Sequence, residues 1–242
     1  MSGFVSAALL QLVQLLIVLL LAPLLTGLVR FAQARMLGRR GPPVSQPYRD
    51  LAKLMRKEAV LADNASWLFR TAPYVIFALL WLAAALVPIF TTRLPMSAAA
   101  DLIALVGLLA SARFLQALAA MDVGTSFGGI GASREMMIAS LAEPAMLMVI
   151  FTVALFIHST SIPSIAEFVL GNAVGIRVSF AMTLISLTMV AIAETARMPV
   201  DNPATHLELT MVHEAMVLEY SGRHLALIEA ASMMRLLFYL SL

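Results

Sequence analysis

Residues 4–29 read FVSAALLQLVQLLIVLLLAPLLTGLV, an apolar run with no charged side chain. About 20 apolar residues in an α-helix cross the hydrocarbon core of a bilayer, and this run is longer than that. Its apolar positions are continuous, so the alternation of a transmembrane β-barrel does not fit. A secretory leader would show a basic start and a shorter apolar core, and neither is present. Pro23 lies inside the run and predicts a bend, because a span tolerates proline where neighbouring groups satisfy the freed backbone.

Five further runs are predominantly apolar, and the six together are Phe4–Val29, Ala72–Phe90, Leu102–Ala120, Met137–His158, Val178–Ala193 and His224–Leu242. They predict an all-α polytopic membrane protein, with residues 1–242 as a single integral membrane domain of about six transmembrane helices. Composition agrees: 61% of residues are hydrophobic and 12% are charged, against about 25% charged in soluble domains. A soluble globular enzyme, a disordered chain and a nucleic-acid-binding domain are excluded. The formal net charge of +2 implies no polyanionic partner. The chain has no cysteine, which excludes disulfides, a thiolate zinc site and an all-cysteine iron–sulfur cluster. The four histidines, His158, His206, His213 and His224, show no haem-ligand arrangement.

Charge placement sets the orientation. Nine of the sixteen basic residues lie between the first two runs: Arg30, Arg35, Arg39, Arg40, Arg49, Lys53, Arg56, Lys57 and Arg70. Arg134, Arg197 and Arg223 fall on the same side, Arg93 and Arg177 on the other, and Arg113 and Arg235 within runs. The N-terminus is therefore expected outside, and segments 30–71, 121–136 and 194–223 in the cytoplasm, facing partner subunits. The sixth run reaches Leu242 without a polar tail or basic stop, which reads as a truncated chain.

Each cytoplasmic segment carries its own signal. In the first, Pro47 opens a short pattern in which Tyr48, Leu51, Leu54 and Met55 recur at helical spacing among Arg49, Asp50, Lys53, Arg56 and Lys57. This is a basic amphipathic helix, too short and too charged to span. It either rests on lipid headgroups or docks a cytoplasmic partner and lines a cavity beneath it.

In the second, Gly124 to Glu135 is glycine-rich but matches neither a dinucleotide fingerprint nor a phosphate loop, so the glycines are read as allowing close helix packing. Glu143, followed by Pro144, lies in the first turns of an apolar run. A carboxylate there costs about 2.5–3.5 kcal/mol even on insertion scales, so it should face the protein interior. It either pairs structurally with Arg134 or Arg113 or acts as a proton-carrying acid.

The third segment and its border hold Glu194, Asp201, Glu208, Glu214, Glu219 and Glu229, six of the fourteen acids. Glu194 and Arg197 are spaced for a local ion pair. Asn202 and Pro203 predict a helix start, and Gly222 its stop near Ser221. His206 and His213 would stand about 10 Å apart along that helix, too far to share a metal ion without bending. Either the acids form a path for protons or cations, or they belong to a solvated helix paired with the basic first segment.

These motifs in this order resemble the complex I subunit 1 family. The likeness rests on Arg39-Arg40-Gly41-Pro42 and Gln46-Pro47-Tyr48-Arg49-Asp50-Leu51-x-Lys53-Leu54 with Lys57-Glu58. It continues in Gly131-Ala-Ser-Arg134-Glu135 followed by Glu143-Pro144, and in Glu194-x-x-Arg197-x-Pro199-x-Asp201 ending at Glu219-Tyr220-Ser221-Gly222. Within it the chain looks more like the membrane subunit of group 4 energy-converting hydrogenases and formate hydrogenlyases. Quinone-reducing relatives carry Arg-x-Gly-Pro-Asn in the first loop, and Ser-Tyr-Glu where this chain has Ser140-Leu-Ala-Glu143. The stretch from Asp201 to Leu209 departs from the acid-rich version in both groups.

The resemblance covers essentially the whole chain and implies a family of typically eight spans. It implies a membrane anchor without a redox cofactor of its own, in a prokaryotic inner membrane. The partners it implies are a nickel–iron hydrogenase-like large subunit, an iron–sulfur small subunit and antiporter-like membrane subunits. It implies proton or ion coupling through Glu143, Glu194, Asp201, Glu208, Glu214 and Glu219, with Arg134 and Arg197 as supporting charges. Arg39, Arg40, Tyr48, Arg49, Asp50, Lys53 and Lys57 would dock partners. The alternatives are a quinone-site subunit and a purely structural anchor.

Overall fold

The computed structural model describes residues 2–88, 95–171, 178–197, 200–201 and 211–241. Each expected span is a helix: α1 (Ser2–Met36), α3 (Trp67–Leu86), α4 (Leu102–Asp122), α5 (Ser126–Ile157), α7 (Val178–Glu194) and α9 (Gly222–Ser241). Between them lie α2 (Gln46–Arg56), α6 (Ile162–Gly171) and α8 (Val212–Val217), and no strand runs through the described residues. Four helices, α1, α3, α4 and α5, are long and apolar enough on their own to cross a membrane. Helix α7 is a shorter apolar helix. Helix α9, at 20 residues, is about 30 Å long but carries Arg223, Glu229 and Arg235.

Small side chains let the helices approach. Ala72, Ala83, Ala112, Ala119, Ala132, Ala139 and Ala231 are all buried. In lipid, where leaving the bilayer is no driving force, such close packing holds helices together. Phe69, Ile76, Leu80, Leu105, Ile228 and Met234 fill the remaining core. Leu9, Leu12, Leu16 and Leu20 of α1 are exposed, a surface suited to acyl chains rather than water. The two buried glutamines of α1 tie it to α3. Gln11 Nε2 donates to Ala85 O at 2.9 Å and Gln14 Nε2 to Val87 O at 2.7 Å. These amides close the carbonyl end of α3, which has no further turn to bond with.

The glycine-rich stretch is helix rather than loop. Thr125 caps α5 by accepting from Gly128 N at 3.2 Å, and α5 continues through Pro144 to Ile157. Gly131 faces α8, where a Cβ would stand 3.0 Å from Met216 Cγ. Gly222 does not stop a helix that runs to Ser221. Helix α8 ends at Val217 and Gly222 opens α9 instead. It has φ +53°, and a Cβ there would meet Glu58 O at 2.4 Å. Beside it, the Ser221 hydroxyl accepts from Val60 N at 2.8 Å and donates to Val60 O at 2.9 Å. This turn clasps the end of the basic segment. Asn202, Pro203, His206 and Glu208 lie outside the described residues.

Helix α2 lies on α9 and α1. Pro47 is buried, Tyr48, Leu51 and Leu54 are half-buried, and the Tyr48 hydroxyl donates to Leu20 O. Part of its apolar stripe thus packs inside the protein, while Met55 stays exposed.

Candidate functional site

The site is built around a cation in the middle of a span. Arg113 of α4 is 2% exposed. Glu135 and Glu143 stand about two turns apart on α5, hence on one face, and both turn toward it. Glu135 Oε1 is 3.4 Å from Nε and Glu143 Oε1 is 3.7 Å from Nη1. Among the described residues Arg113 Nε and Nη1 make no hydrogen bond, so these two are ion-pair contacts. Glu194, the last residue of α7, bonds Nη2 directly. A second buried guanidinium, Arg235 of α9, reaches Glu194 O and Gln116 Oε1, each at 3.5 Å. The centre therefore gathers three carboxylates and two guanidiniums from four helices. A charge inside a span is tolerated only when its partners are also inside.

A cavity of about 380 Å³ opens beside this centre. Glu135 and Glu194 face both the cavity and Arg113. Arg30, Arg197, His213, Glu214, Glu229 and Arg235 provide most of its other charged or titratable lining. Burial, with Arg235 nearby, pushes the His213 imidazole down to about 4, so it is neutral at pH 7. Burial and the neighbouring Arg30 lower the Arg197 guanidinium from its ordinary value.

The structure sorts the residues singled out from sequence. Glu143 pairs with Arg113, one of its two expected partners, while Arg134 is half-buried on a neighbouring side of α5. Glu194 turns to Arg113 rather than to Arg197. The local pair fails because the helix ends at Glu194 and Ala196 has φ 47°, which breaks the helical spacing. Arg197 lines the cavity, as does Glu214. Asp201 is 2% exposed and accepts from Val212 N at 3.0 Å, fixing the start of α8. Glu219 is exposed.

Of the docking set, Arg39, Arg40, Arg49, Lys53 and Lys57 are exposed. Asp50 accepts from Gln46 Nε2 at 2.8 Å. No α2 residue is in the described lining of the cavity. Sequence reasoning counted Glu229 among the clustered acids but did not select Glu135, Arg235 or Gln116. The rule that singled out Glu143, a charge inside an apolar run, applies equally to Arg113, Arg235 and Glu229.

The family model described as NADH dehydrogenase matches residues 9–242. The chain is 36% identical over 211 residues to formate hydrogenlyase subunit 4 of Escherichia coli K12, covering 87% of this chain and 68% of that one. It is also 36% identical over 216 residues to hydrogenase-4 component C of the same organism, covering 89% and 67%. In fold it is similar to a chain of the membrane-bound sulfane sulfur reductase, an archaeal respiratory membrane complex. That TM-score is 0.86 at 20% identity, covering 98% of this chain and 77% of the other.

Proposed function

This chain belongs to the NADH dehydrogenase family, on the side that is like complex I subunit 1, and from that premise we propose that it anchors and couples a multisubunit hydrogenase or formate hydrogenlyase-like complex. Its basic segments face the cytoplasm and its N-terminus faces outward. Electron transfer runs in cytoplasmic partners, a hydrogenase-like large subunit with the nickel–iron centre and a small subunit with iron–sulfur clusters. Antiporter-like subunits lie beside it in the membrane. This chain, which has no cysteine, contributes charge rather than a redox centre.

The observation that carries the reading is the Arg113 centre. Three carboxylates and two guanidiniums leave one formal negative charge in excess, which a proton or a sodium ion balances. Glu135 and Glu194 reach the cavity, while the side chain of Glu143 is 36% exposed and is not in the described cavity lining. A change of charge in the docked partner shifts the balance at such a centre, and ion movement follows. The mixed Glu and Arg lining favours water in the cavity over a quinone ring, whose sites are mostly apolar.

The test is Glu194→Gln and Glu143→Gln in the assembled complex, read as ion uptake by membrane vesicles per unit of enzyme turnover. Uptake falls by about 10²-fold while the partners and their nickel still co-purify. If the variants lose only assembly, with uptake per assembled complex unchanged, the acids are structural. Bound quinone without nickel in the purified complex would replace this reading with the quinone-site one.

A further inference from the structure

One carboxylate of the Arg113 centre looks outward. Glu143 stands about 26 Å along α5, a helix of 32 residues and about 48 Å. A hydrocarbon core of about 30 Å laid anywhere along that helix includes this depth. Yet the Glu143 side chain is 36% exposed. Its described partner is Arg113 Nη1, 3.7 Å away, a contact without a hydrogen bond. The nearby hydroxyls are spent on their own helices. Ser140, one turn before Glu143, donates to Met137 O at 2.7 Å, and Ser111 of α4 donates to Gly107 O at 2.7 Å. Across the seam, Ala110 of α4 lines the same small void as Glu143. Gly107, one turn from Ala110, is exposed, and a Cβ there would meet nothing within 4 Å. Phe114, Met137, Leu141 and Met148 make the rest of this outer face apolar.

An ionised carboxylate only accepts hydrogen bonds. Turned toward lipid inside a span, it finds no donor, and such acids are tolerated where protein or water satisfies them. A second copy of this chain would bring the same spent hydroxyls and a second Glu143 of like charge. Small residues such as Gly107, Ala110 and Ser140 let a neighbouring backbone come close in lipid. We propose that the α4–α5 face around Glu143 is the docking surface for a transmembrane helix of a different membrane subunit, which sets a hydrogen-bond-donating side chain against the Glu143 carboxylate. That donor completes from outside a charge centre that this chain leaves open on one side. Glu143 then touches both the neighbour and Arg113, so the interface is wired directly to the centre. The docking follows from the depth and exposure of Glu143. Only the identity of the neighbour as an antiporter-like subunit rests on the function proposed above.

The chain has no cysteine, so Ser140→Cys gives it a single thiol. Carrying a short photoreactive reagent in the assembled complex, that thiol should crosslink to another membrane subunit. A crosslink to a second copy, within one polypeptide or to lipid alone would overturn the proposal. Density for the assembled complex should show a nitrogen or hydroxyl oxygen of that subunit within about 3.2 Å of the Glu143 carboxylate. An acyl chain, a water or only apolar side chains there would count against it. Gly107→Leu fills space that this chain leaves open and should lower co-purification of the neighbour several-fold. Leu16→Phe, on the exposed side of α1, should leave it unchanged. Full retention in Gly107→Leu, or equal loss in both variants, would refute this face. None of these readouts uses ion uptake. A complex that moves no ions would therefore sink the coupling function, while crosslinks and density still decide the interface.

Discussion

Two cavities of similar size sit toward opposite ends of the same helices. One, about 380 Å³, is lined by carboxylates, guanidiniums and His213. The other, about 410 Å³, is lined by Met146, Ile150, Ile162, Phe180, Leu184 and Leu187 among others. Helix α5 shows the change along one element: Glu135 faces the first cavity, Glu143 reaches Arg113, and Val149, Ile150, Val153 and Ile157 face the second. In the apolar cavity even the lining hydroxyls of Thr183 and Ser241 are spent on their own helices. Space alone therefore predicts nothing. The difference lies in which end can hold charge and water, and charge is held only where four helices supply opposite signs together.

The largest effect comes from removing the cation of the polar end. Arg113→Met leaves Glu135, Glu143 and Glu194 with a much poorer counter-charge, and a broken buried pair typically costs about 3–5 kcal/mol. The expected outcome is a large fall in the thermal midpoint and yield of the purified complex. A midpoint like that of the parent would show that the polar end does not depend on this residue.

Next is acid. The His213 imidazole is held near 4 in the fold and titrates near 6.5 when unfolded. Between those values the unfolded chain binds the extra proton, so stability falls as pH falls from about 6.5 towards 4. The full loss is on the order of 3 kcal/mol. His213→Gln should remove that part of the acid sensitivity in unfolding curves, and equal acid sensitivity in both would place the effect elsewhere.

The smallest belongs to the apolar end. Ile150→Val trims a residue that is 1% exposed and should cost about 0.5–1.5 kcal/mol. It should leave ion uptake per turnover unchanged. A change in uptake would mean that the two ends are coupled and would dissolve the contrast between them.

The span pattern is readable in the sequence because a bilayer demands long apolar runs, and all six are helices. Glu143 is readable for the same reason, since a lone acid in such a run is costly. The centre it belongs to is not, because Arg113 meets partners from α5 and α7 that lie far apart in sequence. The Glu194–Arg197 spacing suggests a local pair only if helical spacing continues past Glu194, where the backbone turns. The close packing expected of the glycine-rich stretch is met at two positions inside α5, Gly128 against α4 and Gly131 against α8, while Gly129 faces open space. Gly222 falls in the expected turn but belongs to the other helix, since a positive φ suits either the end of one helix or the approach to the next.

The clasp between Ser221 and Val60 joins residues 161 positions apart, and α2 lies on α9 and α1. Such a contact is non-local in the folding sense: chain must be closed into a long loop before the contact contributes anything. The basic outer side of α2 is therefore presented in its native pose only once α9 has taken its place. A partner that recognises that side reads the completeness of the bundle along with its charge.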